Sequence, residues 1–260
     1  MKFLSFGLVI LSAIAFAPAA FSMSRTDCDV LYSHRGADLL KAADCYSQER
    51  SSASSSTAKL SLYEMSFIAL SAAVNDSPAT ASERSAIDQG LALALALTAD
   101  FPNSADSFYW TAVFTSFDAI AKDRGAPIPT HTFGAIRMIQ RNLSMAIQAN
   151  PSIHFYGPDR VLGIMNMKMP AVIGGDKVLA EKLLREAYTN SPALSANHVM
   201  YAKILNINGK KEEARAVLTH FLSMSDEELN CYPGQPLLAL NEEIKRDRNS
   251  GKELLASLDD

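Results

Sequence analysis

The chain has 260 residues, 48% of them hydrophobic, and its 24 Lys and Arg against 28 Asp and Glu give a formal charge of −4. No basic cluster interrupts this mild acidity, which argues against nucleic acid as a partner, because phosphate binding needs a Lys/Arg footprint, and offers nothing to anionic lipid. The length suffices for one substantial core or one elongated repeat domain.

Residues 1–22 read as a secretory signal peptide: Lys2, an apolar stretch from Phe3 to Phe16, and small residues ending at Ala20-Phe21-Ser22. The apolar run falls short of the roughly 20 residues of a membrane span; an uncleaved anchor is the second reading. Cys28 follows the polar Ser24-Arg25-Thr26-Asp27, so no lipoprotein box is present. The expected mature chain, residues 23–260, is soluble and carries a charge of −5, since Lys2 is the one charge lost with the leader.

Export places the cysteines where disulfides persist. Between Cys28 and Cys45 the sequence reads as helix, turn at Arg35-Gly36, and helix, and that turn falls midway between the two cysteines. Residues equidistant from the turn of an antiparallel hairpin lie level, so a Cys28–Cys45 bridge is expected over residues 23–50. Closing such a loop contributes about 3 kcal/mol in the chain-entropy picture. Cys231 is left over as a free or buried thiol. Ser51 to Thr57 reads as a flexible connection, and Leu60 to Val74 as an apolar helix.

Repeats occupy 60–235. Ala180, Leu184, Ala187 and Pro192 recur as Ala214, Leu218, Phe221 and Asp226, 34 residues later at every position. Ile139, Leu143, Ala146 and Pro151 precede them, and Gly90, Ala94, Leu97 and Pro102 come earlier still. Spacings of four and three keep small or apolar residues on one helical face, and proline beyond the end stops the helix. The last three of these helices in chain order each have a partner before them, in Asp106 to Ile120, Pro158 to Met167 and Ser195 to Ile207. The unit is a helical hairpin, and 34 residues is the tetratricopeptide period. Extra residues enter at Lys122 to Thr132 and at Met165 to Asp176. From Pro236, Leu237, Leu240 and Ile244 share one face against a charged one, as a terminal capping helix over 236–260 requires. No alternating run of useful length appears. The expected fold is therefore all-α: degenerate tetratricopeptide-like helical hairpins in an α-solenoid with a C-terminal capping helix.

The stretch MPAVIGGDKVLAEKLLREAYTNSP, from Met169, contains Gly174-Gly175-Asp176 but lacks the phosphate-loop pattern. Asp176 is expected to cap the next helix. Met165, Met167 and Met169 lie in an insertion that a minimal hairpin would not need; they either pack on the neighbouring repeat or line a ligand cleft or partner groove. In HFYGPDRVLG, from His154, Gly157-Pro158 starts a helix. Arg160 then offers its planar fork to a carboxylate ligand or pairs internally with Asp159 or another repeat's acid. Tyr109-Trp110 either stacks on a ligand or fills the core between repeats. The five histidines stand singly, with His154 within reach of Asp159 or His198 only through folding. No H-E-x-x-H, G-x-S-x-G, calcium loop or paired-cysteine zinc spacing occurs, so neither a catalytic constellation, a cofactor nor a metal site is expected.

Three segments together, FYGPDRVLGIM, MPAVIGGDKVLAEKLLREAYTNSPAL and YAKILNINGKKEEARAVL, carry a resemblance. Over roughly Tyr109 to Leu222 the chain resembles the T-component family of tripartite ATP-independent periplasmic (TRAP) transporters. Tyr156 takes the place of the first glycine in that family's Gly-Gly-Pro-x-Arg pattern, and Leu179-Ala180 stands where Lys-Ala is common. The resemblance implies a noncatalytic periplasmic adaptor or ligand-binding accessory that associates with a solute-binding protein. It further implies homo-oligomers and an apolar or organic-acid ligand in a helical cleft. The expected binding residues are Trp110, Tyr156, Arg160, Met165, Met167 and Met169, with Cys28, Cys45, Pro158, Gly174, Gly175 and Asp176 structural. A generic tetratricopeptide-type scaffold for protein–protein interaction in envelope assembly is the alternative.

Overall fold

A computed structural model describes residues 24–76, 80–230 and 238–258. The leader, Cys231 and the start of the C-terminal segment, Pro236 and Leu237 included, lie outside the described residues. Those described fold into α-helices joined by short links, with no strand among them: α1 (Arg25–His34), α2 (Asp38–Ser52), α3 (Ser56–Asp76), α4 (Ala81–Asp100), α5 (Ala105–Lys122), α6 (Thr130–Ala149), α7 (Ile153–Lys168), α8 (Lys177–Asn190), α9 (Ser195–Ile207), α10 (Lys211–Ser223) and α11 (Leu238–Ala256). One 3-10 turn, Ala171–Ile173, stands between α7 and α8.

Local chemistry sets most of these boundaries. Ser24 and Asp27 close a reciprocal capping box on α1, and Thr80 and Ser104 accept the first-turn amides of α4 and α5. Asp176 accepts from the backbone of Val178 and Leu179, both at 2.9 Å. Helices α4, α6 and α8 stop alike: Phe101, Asn150 and Ser191, the residues that precede or stand just before a proline, leave helical geometry while their amides still reach back to Leu97, Ala146 and Ala187. For Phe101, Asn150 and Ser191 alike, the following proline ring clashes with an α-helical neighbour. The serine-rich stretch is not the flexible connection expected: α2 runs through Ser52, α3 starts at Ser56, and the Ser55 hydroxyl accepts the Ala58 amide. Serine at a helix start caps; it does not loosen.

Packing follows the chain, each helix lying against the next. The odd-numbered members α3, α5, α7, α9 and α11 also touch in series, α3 with α5, α5 with α7, α7 with α9 and α9 with α11. All twelve helical positions of the four-copy register are buried: Gly90, Ala94 and Leu97, then Ile139, Leu143 and Ala146, then Ala180, Leu184 and Ala187, then Ala214, Leu218 and Phe221. Small residues matter where backbones meet. A Cβ on Gly163 would stand 2.6 Å from the Leu184 side chain, and one on Gly90 would overlap the Phe114 ring.

Cys28 and Cys45 are bonded, joining α1 to α2 across the turn with their Cα atoms 5.5 Å apart. The first and last helices meet as well: Glu243 on α11 accepts from Arg35 at 2.6 Å and from the Tyr32 hydroxyl at 3.2 Å.

Candidate functional site

The odd-numbered helices enclose a cleft of about 590 Å³. Ala72, Trp110, Val161 and Met200 give it apolar walls from α3, α5, α7 and α9, while Arg160, Lys168, Lys203, Glu243, Arg246 and Asp247 supply charge. Lys168 forms no ion pair or hydrogen bond with the described residues, whereas the charge of Lys203 acts on Asp247. Arg246 is tied to Asp247 at 3.9 Å, and Asp247 accepts the Ser195 hydroxyl at 2.6 Å. Burial pushes the Asp247 carboxyl above its ordinary range, against the pull of Ser195 and the surrounding cations.

One end of this cleft is built from irregular backbone. His154, Phe155 and Tyr156 all sit in the left-handed region, with φ of 48°, 57° and 58°. Such geometry costs an L-residue about 1–2 kcal/mol each, so neighbours must hold it. Arg160 does so: its guanidinium donates to the carbonyl of Phe155 at 3.1 Å, to that of His154 at 3.5 Å, and to Asn197 Oδ1 at 3.0 Å. Asn197 in turn donates to the carbonyls of Ala187 and Ser191, each at 3.0 Å. The left-handed start of α7, the end of α8 and the start of α9 are thereby clamped together. Arg160 makes no ion pair with Asp159 or with another repeat's acid among the described residues, because its fork is occupied by the Asn197 side chain and by carbonyls that no helix satisfies. Asp159 stays buried instead, and burial together with the charge of Glu186 pushes it up to about 6.

The left-handed turn aims His154 inward. Its side chain is 8% exposed, with Nδ1 3.3 Å from Glu64 and Nε2 3.2 Å from Asp106. The second contact is close but poorly aligned for a hydrogen bond. Burial pulls the imidazole pKa down, yet the two carboxylates outweigh it and leave the pKa above its ordinary value. Tyr109 and Trp110 pack on the ring, with centroids at 4.7 and 5.0 Å. The partners are thus Glu64 and Asp106 rather than Asp159 or His198; His198 packs on Phe221 in a separate cluster. Single acids on two distant helices left no spacing signal by which the sequence could have revealed this set. Among the described residues no group of three or more acidic, histidine or cysteine side chains is disposed to hold a metal ion.

The residues expected to bind separate into three places. Trp110 and Arg160 line the cleft. Trp110 also stacks on Phe67 at 4.7 Å, and its buried indole N–H finds no acceptor among the described residues. Met165 and Met169 line an adjoining apolar chamber. Met167 turns the other way, buried with Ala180 and Leu184, as two residues' advance along a helix demands. Tyr156 belongs to the left-handed turn and does not line the cleft. Pro158 is buried in the first regular turn of α7. Gly174, at φ 97°, and Gly175 close the loop ahead of Asp176.

No family model matches the chain, and no curated protein matches it. No described helix is long and apolar enough to cross a membrane.

Proposed function

We propose that this chain is a noncatalytic helical-repeat protein of the cell envelope, an adaptor or ligand-binding accessory that works by holding a ligand or partner in the cleft between α3, α5, α7, α9 and α11. The observation that carries the reading is that one series of helices supplies every wall of that cleft, while the four-copy register is buried in the hairpins. In a tetratricopeptide-like α-solenoid the first helix of each hairpin forms the concave, binding face, and the odd-numbered helices are the ones in mutual contact here. With α11 as its cap, the stack ends on a helix whose outward face is charged.

The cleft's chemistry supports binding rather than turnover. Its one histidine lies between two carboxylates and against two aromatic rings, an arrangement that suits a fixed charge better than proton transfer to a ligand. Lys168, without an ion pair among the described residues, and Lys203 beside apolar walls suit an organic anion. The resemblance to T-components adds the partner: a periplasmic solute-binding protein, to which the cleft would pass or from which it would receive the ligand.

Gentle purification of the protein from its own envelope, followed by native mass spectrometry, tests the proposal. A stoichiometric small acid or a solute-binding protein is the expected companion. Assembly proteins held through extended peptide segments, with no small molecule, would replace it by the generic scaffold.

A further inference from the structure

Beside the cleft lies a second chamber of about 300 Å³, formed where α5, α6 and α7 meet the loop after α7. Ala119, Phe133, Ile136, Met165 and Ile173 represent its walls, and Lys168 is the one charged residue among those that line it. Ile120, Ile164 and Lys168 line both spaces, so the chamber and the cleft adjoin at a lysine.

The rim of the chamber is built by the insertion between α7 and α8. Pro170 opens a 3-10 turn, Gly174 at φ 97° reverses the chain, and the Gly175 amide returns to the Pro170 carbonyl at 3.1 Å. A Cβ on Gly175 would overlap the Met169 carbonyl. The glycine pair therefore holds Met169, Pro170 and Ile173 against the chamber. The loop is neither a phosphate cradle nor bare punctuation: it closes an apolar space that side chains leave open.

We infer that the chamber takes the hydrocarbon tail of a free single-chain carboxylate, whose head group meets Lys168 and enters the cleft. The inference rests on the cleft being a ligand site and adds the substrate class. An apolar hollow with one cation where it adjoins the cleft matches a molecule that is apolar along its length and anionic at one end. A short dicarboxylate would leave the chamber empty, and a neutral hydrocarbon would leave Lys168 without a counter-charge. Methionines at Met165 and Met169 adapt their shape to tails of different length.

Titration calorimetry of the full mature protein with butanoate, octanoate and dodecanoate, with dodecanol as the neutral control, reads the inference directly. Affinity is expected to rise by up to about fourfold for each methylene buried. Ile136→Trp, which fills the chamber, should flatten that dependence. Lys168→Glu, at an exposed position that folding does not require, should weaken dodecanoate at least about tenfold, the size of one charge-assisted contact, and leave dodecanol unchanged. Butanoate binding as tightly as dodecanoate, with Ile136→Trp without effect, would overturn the tail chamber and leave the cleft reading standing. Absence of binding by every carboxylate, together with a peptide-bearing companion in the native mass spectrum, would overturn both.

Discussion

The hairpin α7–α8 joins two kinds of structure. Its second helix, α8, follows the repeat register: Ala180, Leu184 and Ala187 are buried, Asp176 caps one end, and Pro192 follows the other. Its first helix begins with three left-handed residues and is anchored through a guanidinium, with a buried histidine between two acids. The regular half gains its stability from burial and close approach, which any neighbouring repeat can provide. The irregular half depends on polar groups that converge from several helices, and it is this half that faces the cleft. Local strain of this kind persists where surrounding structure over-determines it.

Substitutions can break that contrast from either side. Leu184→Ala in the regular half should cost the most, about 3 kcal/mol, because a fully buried side chain leaves a cavity against Gly163. Urea unfolding would measure it, and the loss should be nearly independent of pH. Arg160→Met should cost about 2 kcal/mol by leaving the carbonyls of His154 and Phe155 unsatisfied. It should also disturb binding at the cleft more than Leu184→Ala does at matched stability.

His154→Asn sharpens the comparison, because asparagine tolerates left-handed geometry but carries no charge. The folded-state pKa of His154 is raised above 6.5, its unfolded value. The charged imidazole therefore stabilises the fold fully below that value, and the contribution is lost as pH rises through the folded pKa. The destabilisation by His154→Asn should accordingly be larger at about pH 5.5 than at about pH 8.5, as paired denaturant titrations would record; a pH-independent difference would contradict the ion triad. Asp176→Ala should show the smallest effect, about 1 kcal/mol for a lost cap, measured by thermal melting.

How legible each half is in the sequence follows from the same distinction. The register, the proline stops, the Asp176 cap and the hairpin across Cys28 and Cys45 are local patterns, and each could be found by spacing. Helices α5, α9 and the Arg35-Gly36 turn fall where periodicity places them. The turn at His154 could not be found so, since no glycine marks it, and the signal at Gly157-Pro158 describes only the regular helix that follows. Nor could Glu64, Asp106 and His154 be joined, because their meeting is fixed by how α3, α5 and α7 stack. Of the methionines, Met165 and Met169 reach the chamber while Met167 enters the core. Helical phase separates Met165 from Met167, but phase alone does not say which face meets a cavity.

A crystal structure of the protein purified from its own cells is the most direct test of the proposed cleft as the binding site. Density for an occupant bounded by Trp110, Arg160, Lys168 and Lys203 is the predicted result. An occupant seated against the outward surfaces of α2, α4 or α6, with the cleft holding water alone, would contradict it.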